Sequence, residues 1–462
     1  MSSVQQSYWF DSISEAEHGF RPRPGLTSDV EVDVAIVGAG LTGLWTAYFL
    51  QQHDPSLRIA VLEKEVAGFG ASGRNGGWCS ALFPKSASAL EARYGLDGAV
   101  AQRRAMVDTV DEVGRVAEAE GIDCDYVRGG TVTFARSRAQ LAAARAEYAE
   151  SERYGVDQVS LLGTESVRSR YGVPDAVAAT FTPACARVHP AKLVRGLARV
   201  VERAGATIYE GTEVLSWSDG VVSAIAGGTA RTVRAGTVVN ATEGYGAAIK
   251  QVGRRILPLY SLMIATEPLS DETWDRIGIE HGQTFADFRH LIIYGQRTAD
   301  NRFAFGGRGA VYHLGSTISP AYEQVARVRE HLRHALAALF PDAAGARITH
   351  HWGGPLGVPR DWHASVGLDR TRREAWAGGY VGDGLSTTNL AGRTLADLLT
   401  GTTSELTRLP WVGHRSPRWE PEPLRYVGAN TGLLGAEAAD LEERLTGNPS
   451  IVARLLAPLT GH

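Results

Sequence analysis

Three glycine-spaced turns and a few polar side chains offer the chemistry in this 462-residue chain. The run Gly38-Ala-Gly-Leu-Thr-Gly43 has the spacing G-x-G-x-x-G. Gly38 permits a tight turn. Gly40 lets the backbone approach a pyrophosphate, and Gly43 lets a helix pack closely on a strand. Leu41 and Thr42 open that helix, whose free N–H groups favour a phosphate. Glu63 falls 20 residues past Gly43, where a carboxylate can hold ribose hydroxyls, and Lys64 stands beside it. The pattern is that of a dinucleotide site.

A second turn, Gly68-Phe-Gly-Ala-Ser-Gly-Arg-Asn-Gly-Gly77, has five glycines in ten residues. So much glycine between ordered segments means that the backbone approaches a ligand or turns repeatedly. Its place directly after the second strand favours cofactor contact. A third turn, Gly382-Asp-Gly384, is entered by a strand and left by a helix from about Ser386, a second helix N-terminus able to hold negative charge. Arg308, in Gly306-Gly-Arg-Gly309, offers a planar fork of donors to a carboxylate or other anion, or else serves an ordinary ion pair. Tyr260, Tyr294, Tyr312, His313, His351 and Trp352 could supply pocket walls and hydrogen bonds, or simply pack. Trp78 could cover one face of a bound ring.

These groups need elements to place them. Val32 to Glu63 reads as buried strand, glycine turn, helix and strand. Residues 1–30, with Ser7-Tyr-Trp-Phe10, read as an irregular arm on the surface. Gly98 to Glu120 and Arg138 to Arg153 have helical spacing, with a strand between them at Val127 to Ala135. His189 to Val201 predicts an amphipathic helix, followed by strands at 206–215 and 221–225 and by a strand ending in a glycine turn over Thr237 to Gly246. Ile256 to Glu267, His290 to Tyr294 and Arg302 to Gly306 predict strands of a second sheet. Ala321 to Phe340 predicts a helix on which His331 and His334 sit at i, i+3. A metal pair there lacks any third ligand, so exposed helix histidines are expected. Residues 416–428 read as an extended, proline-punctuated wrap, and Gly435 to Leu459 as helical.

The length suggests two domains. A hydrophobic content of 44% and charged content of 21% are ordinary for a globular protein. A net charge of −4 favours neither nucleic acid nor an anionic membrane as partner. No apolar run is long enough to span a bilayer, and residues 1–10 show no secretory signal. Cys79, Cys124 and Cys185 are scattered, which fits a reducing cytoplasm.

The set Gly38–Gly43, Glu63, Gly70–Gly77, Asn240-Ala-Thr-Glu-Gly244, Pro258–Leu269 and Gly379–Gly392 resembles the D-amino-acid oxidase-like family of FAD-dependent oxidoreductases. Glycine oxidase, sarcosine oxidase and γ-glutamylputrescine oxidase belong to it. The resemblance covers most of residues 30–425. It implies an α/β fold: a Rossmann-like FAD-binding domain assembled from separated segments, and a substrate domain with a mainly antiparallel sheet and helices. On that reading residues 1–85, 189–255 and 345–462 bind FAD, and residues 86–188 and 256–344 bind substrate. It further implies FAD with its pyrophosphate over Gly38, Gly40, Leu41, Thr42 and Gly43, and its ribose on Glu63 beside Lys64. Gly70, Ala71, Ser72, Arg74, Asn75, Gly76 and Gly77 would line the pyrophosphate and ribityl chain. Val214 would touch the adenine, and Ala241 and Thr242 would turn against the cofactor. Gly382, Gly384, Leu385, Ser386, Thr387 and Thr388 would face the pyrimidine end of the flavin.

The implied reaction oxidises a C–N bond of an amine or amino acid by hydride transfer to flavin N5. The imine then hydrolyses, with oxygen as acceptor. An amine dehydrogenase serving an electron carrier, a flavin monooxygenase and a purely structural flavoprotein are the alternatives. The residues assigned to the substrate are Asp383, Arg308, Tyr260 and His351. Asp383 either pairs with a substrate ammonium or caps the helix after it. The chain departs from the family in two places. No lysine follows Lys250, so the oxygen-activating lysine of sarcosine oxidases has no counterpart. No cysteine follows Cys185 and no histidine lies between His53 and His189, so both usual tethering regions are empty and non-covalent FAD is expected. A monomer or homodimer is expected.

Overall fold

The computed structural model describes residues 7–13 and 22–460. Residues 1–6 and 14–21 of the expected N-terminal arm, and with them most of the first ten residues, lie outside them. Residues 22–29 run along the surface as expected, but Ser7 to Phe10 do not. Tyr8–Asp11 form helix α1, capped by the Ser7 side chain, which accepts from Trp9 N–H. Tyr8, Trp9 and Phe10 are buried with Met263, Ala265, Ala304 and Trp352. Three adjacent aromatics are worth several kcal/mol of burial, at ~1.5–3 kcal/mol each, which outweighs the cost of ordering the arm.

The chain then runs β1 (Val30–Val37), α2 (Leu41–His53), β2 (Ile59–Leu62), α3 (Ala71–Arg74) and β3 (Trp78–Ser80). Next is α4 (Ala87–Ala119), 33 residues divided by Gly95 at φ 78°, then β4 (Thr131–Ala135), α5 (Arg138–Tyr154), β5 (Ser160–Gly163), α6 (Thr164–Arg170), β6 (Ala178–Thr182) and β7 (Cys185–Arg187). After α7 (Pro190–Arg203) come β8 (Thr207–Tyr209), β9 (Thr212–Ser218), β10 (Val221–Ala226) and β11 (Thr229–Asn240). The second sheet's strands follow: β12 (Leu257–Thr266), then α8 (Asp271–Ile277), β13 (Thr284–Asp287), β14 (Ile293–Arg297), β15 (Phe303–Gly307), α9 (Ala326–Leu339) and β16 (Ile348–Val358). Last are β17 (Ser365–Asp369), β18 (Glu374–Gly378), α10 (Gly384–Thr400), α11 (Leu424–Thr446) and α12 (Ile451–Thr460). The expected wrap at 416–428 therefore gives way to helix at Leu424.

Two eight-stranded sheets organise these elements. The first has the order β17-β18-β11-β1-β2-β8, with β10 and β9 added as an antiparallel meander. Strands β18, β11, β1, β2 and β8 are mutually parallel. Their C-terminal ends therefore line up on one edge, where open α/β sheets bind ligands. Val34, Ile36, Ile59 and Val61 face α2, α7 and α10, while Ala35, Val37, Leu62 and Val233 face the meander. That alternation is the period of two expected of strands buried on both faces.

The second sheet runs β16-β12-β15-β14-β13-β4-β6-β5, with only β13 and β4 parallel. Strand β16 thus joins this sheet, although residues 345–462 were expected to serve the first. Along β12, Tyr260, Leu262 and Ile264 pack with Val328, Leu332 and Leu336 of α9. Met263 and Ala265 face the other way, toward Trp9 and Trp352.

Candidate active site

The first sheet ends in three turns that meet. Gly38 leaves β1 at φ 106°, and a Cβ there would stand 2.7 Å from the carbonyl oxygen of Ala241. A Cβ on Gly43 would fall on the Gly38 carbonyl oxygen. The close approach of α2 to β1 therefore requires both glycines. Leu41 N–H donates to Ser72 Oγ at 2.8 Å, which brings the second glycine turn to the start of α2. Gly40 sits under the same hydroxyl, its ideal Cβ 2.8 Å away. Ala241 N–H donates to Val37 O at 3.0 Å, and Thr42 Oγ1 lies 3.1 Å from the Tyr380 hydroxyl. Thr242 Oγ1 donates to Asn240 Oδ1 at 2.7 Å.

Glu63 ends β2 with its carboxylate accepting from Ala39 N–H and Glu65 N–H, both at 2.9 Å. Burial pushes it up to about 7 against those two donors, and Glu210 adds to the rise. A carboxylate in that state gains from further donors, and ribose hydroxyls are donors of the right kind. Val214 packs beside it with Val37 and Leu62. Lys64 is drawn away into an exposed ion pair with Glu213 at 2.8 Å.

The second turn packs on the second sheet. Asn75 Oδ1 accepts from Gly77 N–H at 2.7 Å, and Asn75 Nδ2 donates to Ala71 O at 3.0 Å. A Cβ on Gly76 would strike the Tyr294 ring, and one on Gly70 would come within 3.1 Å of the Tyr245 ring. Arg74 was expected to line the ribityl chain. Its guanidinium is committed elsewhere, to Glu323 at 2.7 Å and to the Tyr245 hydroxyl at 2.8 Å, stacked 4.9 Å from Phe69.

The third turn carries the charged pair of the site. Asp383 occupies the N-cap position of α10 but makes no side-chain cap bond. Burial pushes its carboxyl up to about 6, and Arg308 holds the rise in check. Arg308 Nη2 donates to Val381 O at 2.8 Å, with its guanidinium 5.5 Å from the Trp362 ring. Burial lowers its pKa while Asp383 opposes the shift. Val381 and Trp362, the two residues that seat Arg308, have φ of 55° and 57°. Left-handed backbone at a β-branched and a bulky residue is strain of the kind that collects at working sites. Behind the turn, Ser386 Oγ donates to Ser80 O, Thr387 Oγ1 to Asp383 O, and Thr388 Oγ1 to Leu385 O at 2.9 Å. These bonds and buried Leu385 fix the start of α10, and Gly384 lies against Tyr380.

The second sheet presents one face to this site. Ser261 Oγ lies 2.9 Å from the Tyr294 hydroxyl, Trp78 meets the Tyr294 ring edge-on at 6.0 Å, and Leu356 reaches Gly382. Tyr260 and His351 are on the opposite face. Tyr260 accepts from Ser319 N–H at 3.1 Å and meets Tyr322 edge-on. His351, paired with Ile264, points as Tyr260 does, and burial lowers its ring to about 4. Tyr312 donates to Glu422 at 2.6 Å, and His313 stacks on Tyr322 at 3.3 Å. Trp352 Nε1 donates to Arg74 O at 2.8 Å and braces the loop.

Sequence reasoning passed over Glu243, Tyr245, Ser261, Glu323 and Trp362. Glu243, at φ 47°, accepts from Gly379 N–H and Tyr380 N–H at 2.9 Å, and burial pushes it up to about 7. It ties the β11 turn to the β18 turn. Its signal was its place beside Ala241 and Thr242. Among the described residues no group of three or more His, Cys, Asp or Glu is placed to hold a metal ion, and no helix is long and apolar enough to cross a membrane.

The parallel edge, the glycine turn at a helix N-terminus and an acid ending the second strand define a dinucleotide-binding α/β fold. The family model described as FAD dependent oxidoreductase matches residues 33–398, and the chain belongs to that family. It is 29% identical over 440 residues to the gamma-glutamylputrescine oxidoreductase of Escherichia coli K12, covering 93% of this chain and 97% of that protein. The glycine oxidase structure from Geobacillus kaustophilus superposes with a TM-score of 0.67 at 23% identity, covering 83% of this chain and 99% of that one. The L-proline dehydrogenase structure from P. horikoshii gives 0.67 at 18% identity, covering 82% and 96%.

Proposed function

We propose that this enzyme oxidises the C–N bond of an amine or amino acid at the turn that joins Asp383 to Arg308. The observation that carries the reading is Asp383. Its carboxylate stands at a helix start without capping it, is half-buried, and has a guanidinium as its charged neighbour. Such a group is free to receive an ammonium and to take its proton. The names of the similar proteins, an oxidoreductase of gamma-glutamylputrescine and an oxidase of glycine, are consistent with an amine substrate.

FAD, when bound, supplies the acceptor for the electron pair leaving the carbon. Gly38, Gly40 and the start of α2 would hold its pyrophosphate, Glu63 its ribose, and the start of α10 its pyrimidine end. Asp383 binds the substrate nitrogen and removes a proton from it. Arg308 binds a carboxylate or other anion on the same molecule. Tyr294 and Ser261 form a polar wall, while Trp362, Leu356 and Val381 narrow the access of water. Oxygen is the acceptor we assign for reoxidation, since Arg308 places positive charge where reduction of oxygen creates negative charge.

Non-covalent attachment is supported by the cysteines. All three are buried, with Cys124 pushed up to about 12 and Cys79 well above its usual range by burial, so none is a ready thiolate. Their free state also supports a cytoplasmic location. Anaerobic addition of amines and amino acids to holoenzyme tests the reading: one of them bleaches the flavin of wild type, and Asp383→Asn slows that bleaching at least 100-fold. Equal rates in the two proteins would dismiss Asp383 from the reaction.

A further inference from the structure

A second cleft opens on the face of the first sheet turned away from α2 and α10. Along β18, Ala375 enters the core, while Glu374, Trp376, Ala377 and Gly378 line this cleft. Its cavity volume is about 370 Å³, the size of a small-molecule site. Lys250, Arg255, Arg372, Arg415 and Arg418 converge on it, and none of Gly38–Gly43, Arg308 or Asp383 lines it. Its carboxylates are Glu374, which accepts from Trp217 Nε1 at 3.3 Å, and the buried Glu243.

The cations are under-compensated. Arg415 lies 4.1 Å over the Trp376 ring and 3.5 Å from Asp369, the carboxylate that Arg372 also approaches at 3.9 Å. The guanidinium groups of Arg255 and Arg418 have no ion pair or hydrogen bond among the described residues. Burial lowers the pKa of Arg255, and Arg415, Arg418 and Arg372 lower it further, against Glu374. Two buried histidines also line the cleft. His363 and His414 stack at 4.0 Å and are 3% and 6% exposed. His363 Nδ1 donates to Ala364 O at 2.7 Å and His414 Nε2 to Asp361 Oδ2 at 2.8 Å, so the second nitrogen of each neutral ring is an acceptor and offers nothing to an anion.

From this convergence of five cations on one small cavity, with the half-buried Arg255 guanidinium unpaired among the described residues, we propose that the cleft binds a compact polyanion, a phosphate or diphosphate group. A single carboxylate would offset one charge and leave the others opposed. A diphosphate offers several oxygens to several planar forks at once, and charge-assisted bonds of that kind are the strong ones. None of Gly38–Gly43 lines the cleft, so the titration is made on the loaded enzyme, in which that turn is filled.

Calorimetric titration of FAD-loaded enzyme with inorganic pyrophosphate at low ionic strength tests this. One equivalent binds to wild type. Arg255→Gln and Arg418→Gln each weaken it about 10-fold or more, as expected for loss of one charge-assisted contact, and the double variant shows no binding. Removing a like charge leaves the thermal midpoint without pyrophosphate unchanged or higher, so the variants report binding rather than folding. If Arg255→Gln fails to fold, Arg372→Gln, at an exposed position, is read in the same way. Absence of heat with wild type, or binding that survives the double replacement, overturns the proposal. Binding of ADP in solution assigns a soluble phosphate, whereas co-sedimentation with phosphatidylcholine vesicles containing phosphatidate, without ADP binding, assigns a lipid headgroup.

Discussion

The guanidinium of Arg74 meets the carboxylate of Glu323 at 2.7 Å, with side-chain exposures of 1% and 4%. The contact joins the second glycine turn to the segment before α9. A buried pair is costly to break from one side, because the remaining charge stays desolvated. Glu323→Ala is expected to lose about 3–5 kcal/mol of unfolding free energy, whereas Arg74→Met with Glu323→Leu recovers most of it. Urea denaturation of the three proteins checks this. Equal stability of Glu323→Ala and wild type would mean that the pair holds nothing.

Gly43 has no room for a side chain. Its Cβ would fall on the Gly38 carbonyl oxygen and within 3.0 Å of Ile36. Both obstacles belong to the strand that the turn leaves, so neither can swing aside. Gly43→Ala is expected to give protein that retains no FAD through gel filtration, whereas Gly432→Ala, in open space on α11, retains it fully. Full retention by Gly43→Ala would place the nucleotide elsewhere.

The residues legible in the sequence are those whose role is set by near neighbours. Gly38, Gly43 and Glu63 could be assigned because one crossover of about thirty residues contains the whole argument. Arg74 was legible as a loop residue, but its partner Glu323 lies 249 positions away and no spacing announces it. Tyr260 and Tyr294 illustrate a second limit. A period of two says that neighbouring residues of a strand face opposite ways, not which face the cofactor domain covers. Tyr294 and Ser261 took the site's side, and Tyr260 took the side of α9. The aromatic run Tyr8–Phe10 read as an arm because its burial depends on Met263 and Trp352, far along the chain.

Asp383 sets the acidic limb of activity. Its carboxyl is raised to about 6 by burial, with Arg308 opposing. If the ionised form receives the ammonium, as proposed, kcat/KM rises as pH increases through about 6 and levels off above it. Asp383→Asn lowers kcat/KM by at least about 100-fold and removes that limb, while Asp383→Glu keeps a limb with reduced rate. A limb unchanged in Asp383→Asn assigns the titration to another group.

Glu63 is expected to decide flavin affinity. Glu63→Gln removes the charge that ribose hydroxyls would meet, at a cost of ~1.5–3 kcal/mol for bonds to a charged acceptor, or about 10- to 100-fold in Kd. Fluorescence of FAD released on dilution measures it. The same experiment after acid precipitation separates attachment modes: free FAD in the supernatant fits a non-covalent site, and colour in the pellet does not.

The most direct measurement is the visible spectrum of purified protein supplied with FAD, recorded without oxygen as amines and amino acids are added, and then with air admitted. The account predicts a yellow, tightly held flavin that one of these compounds bleaches and that air restores within a turnover. A protein that takes up no flavin, or whose flavin no amine reduces, contradicts it.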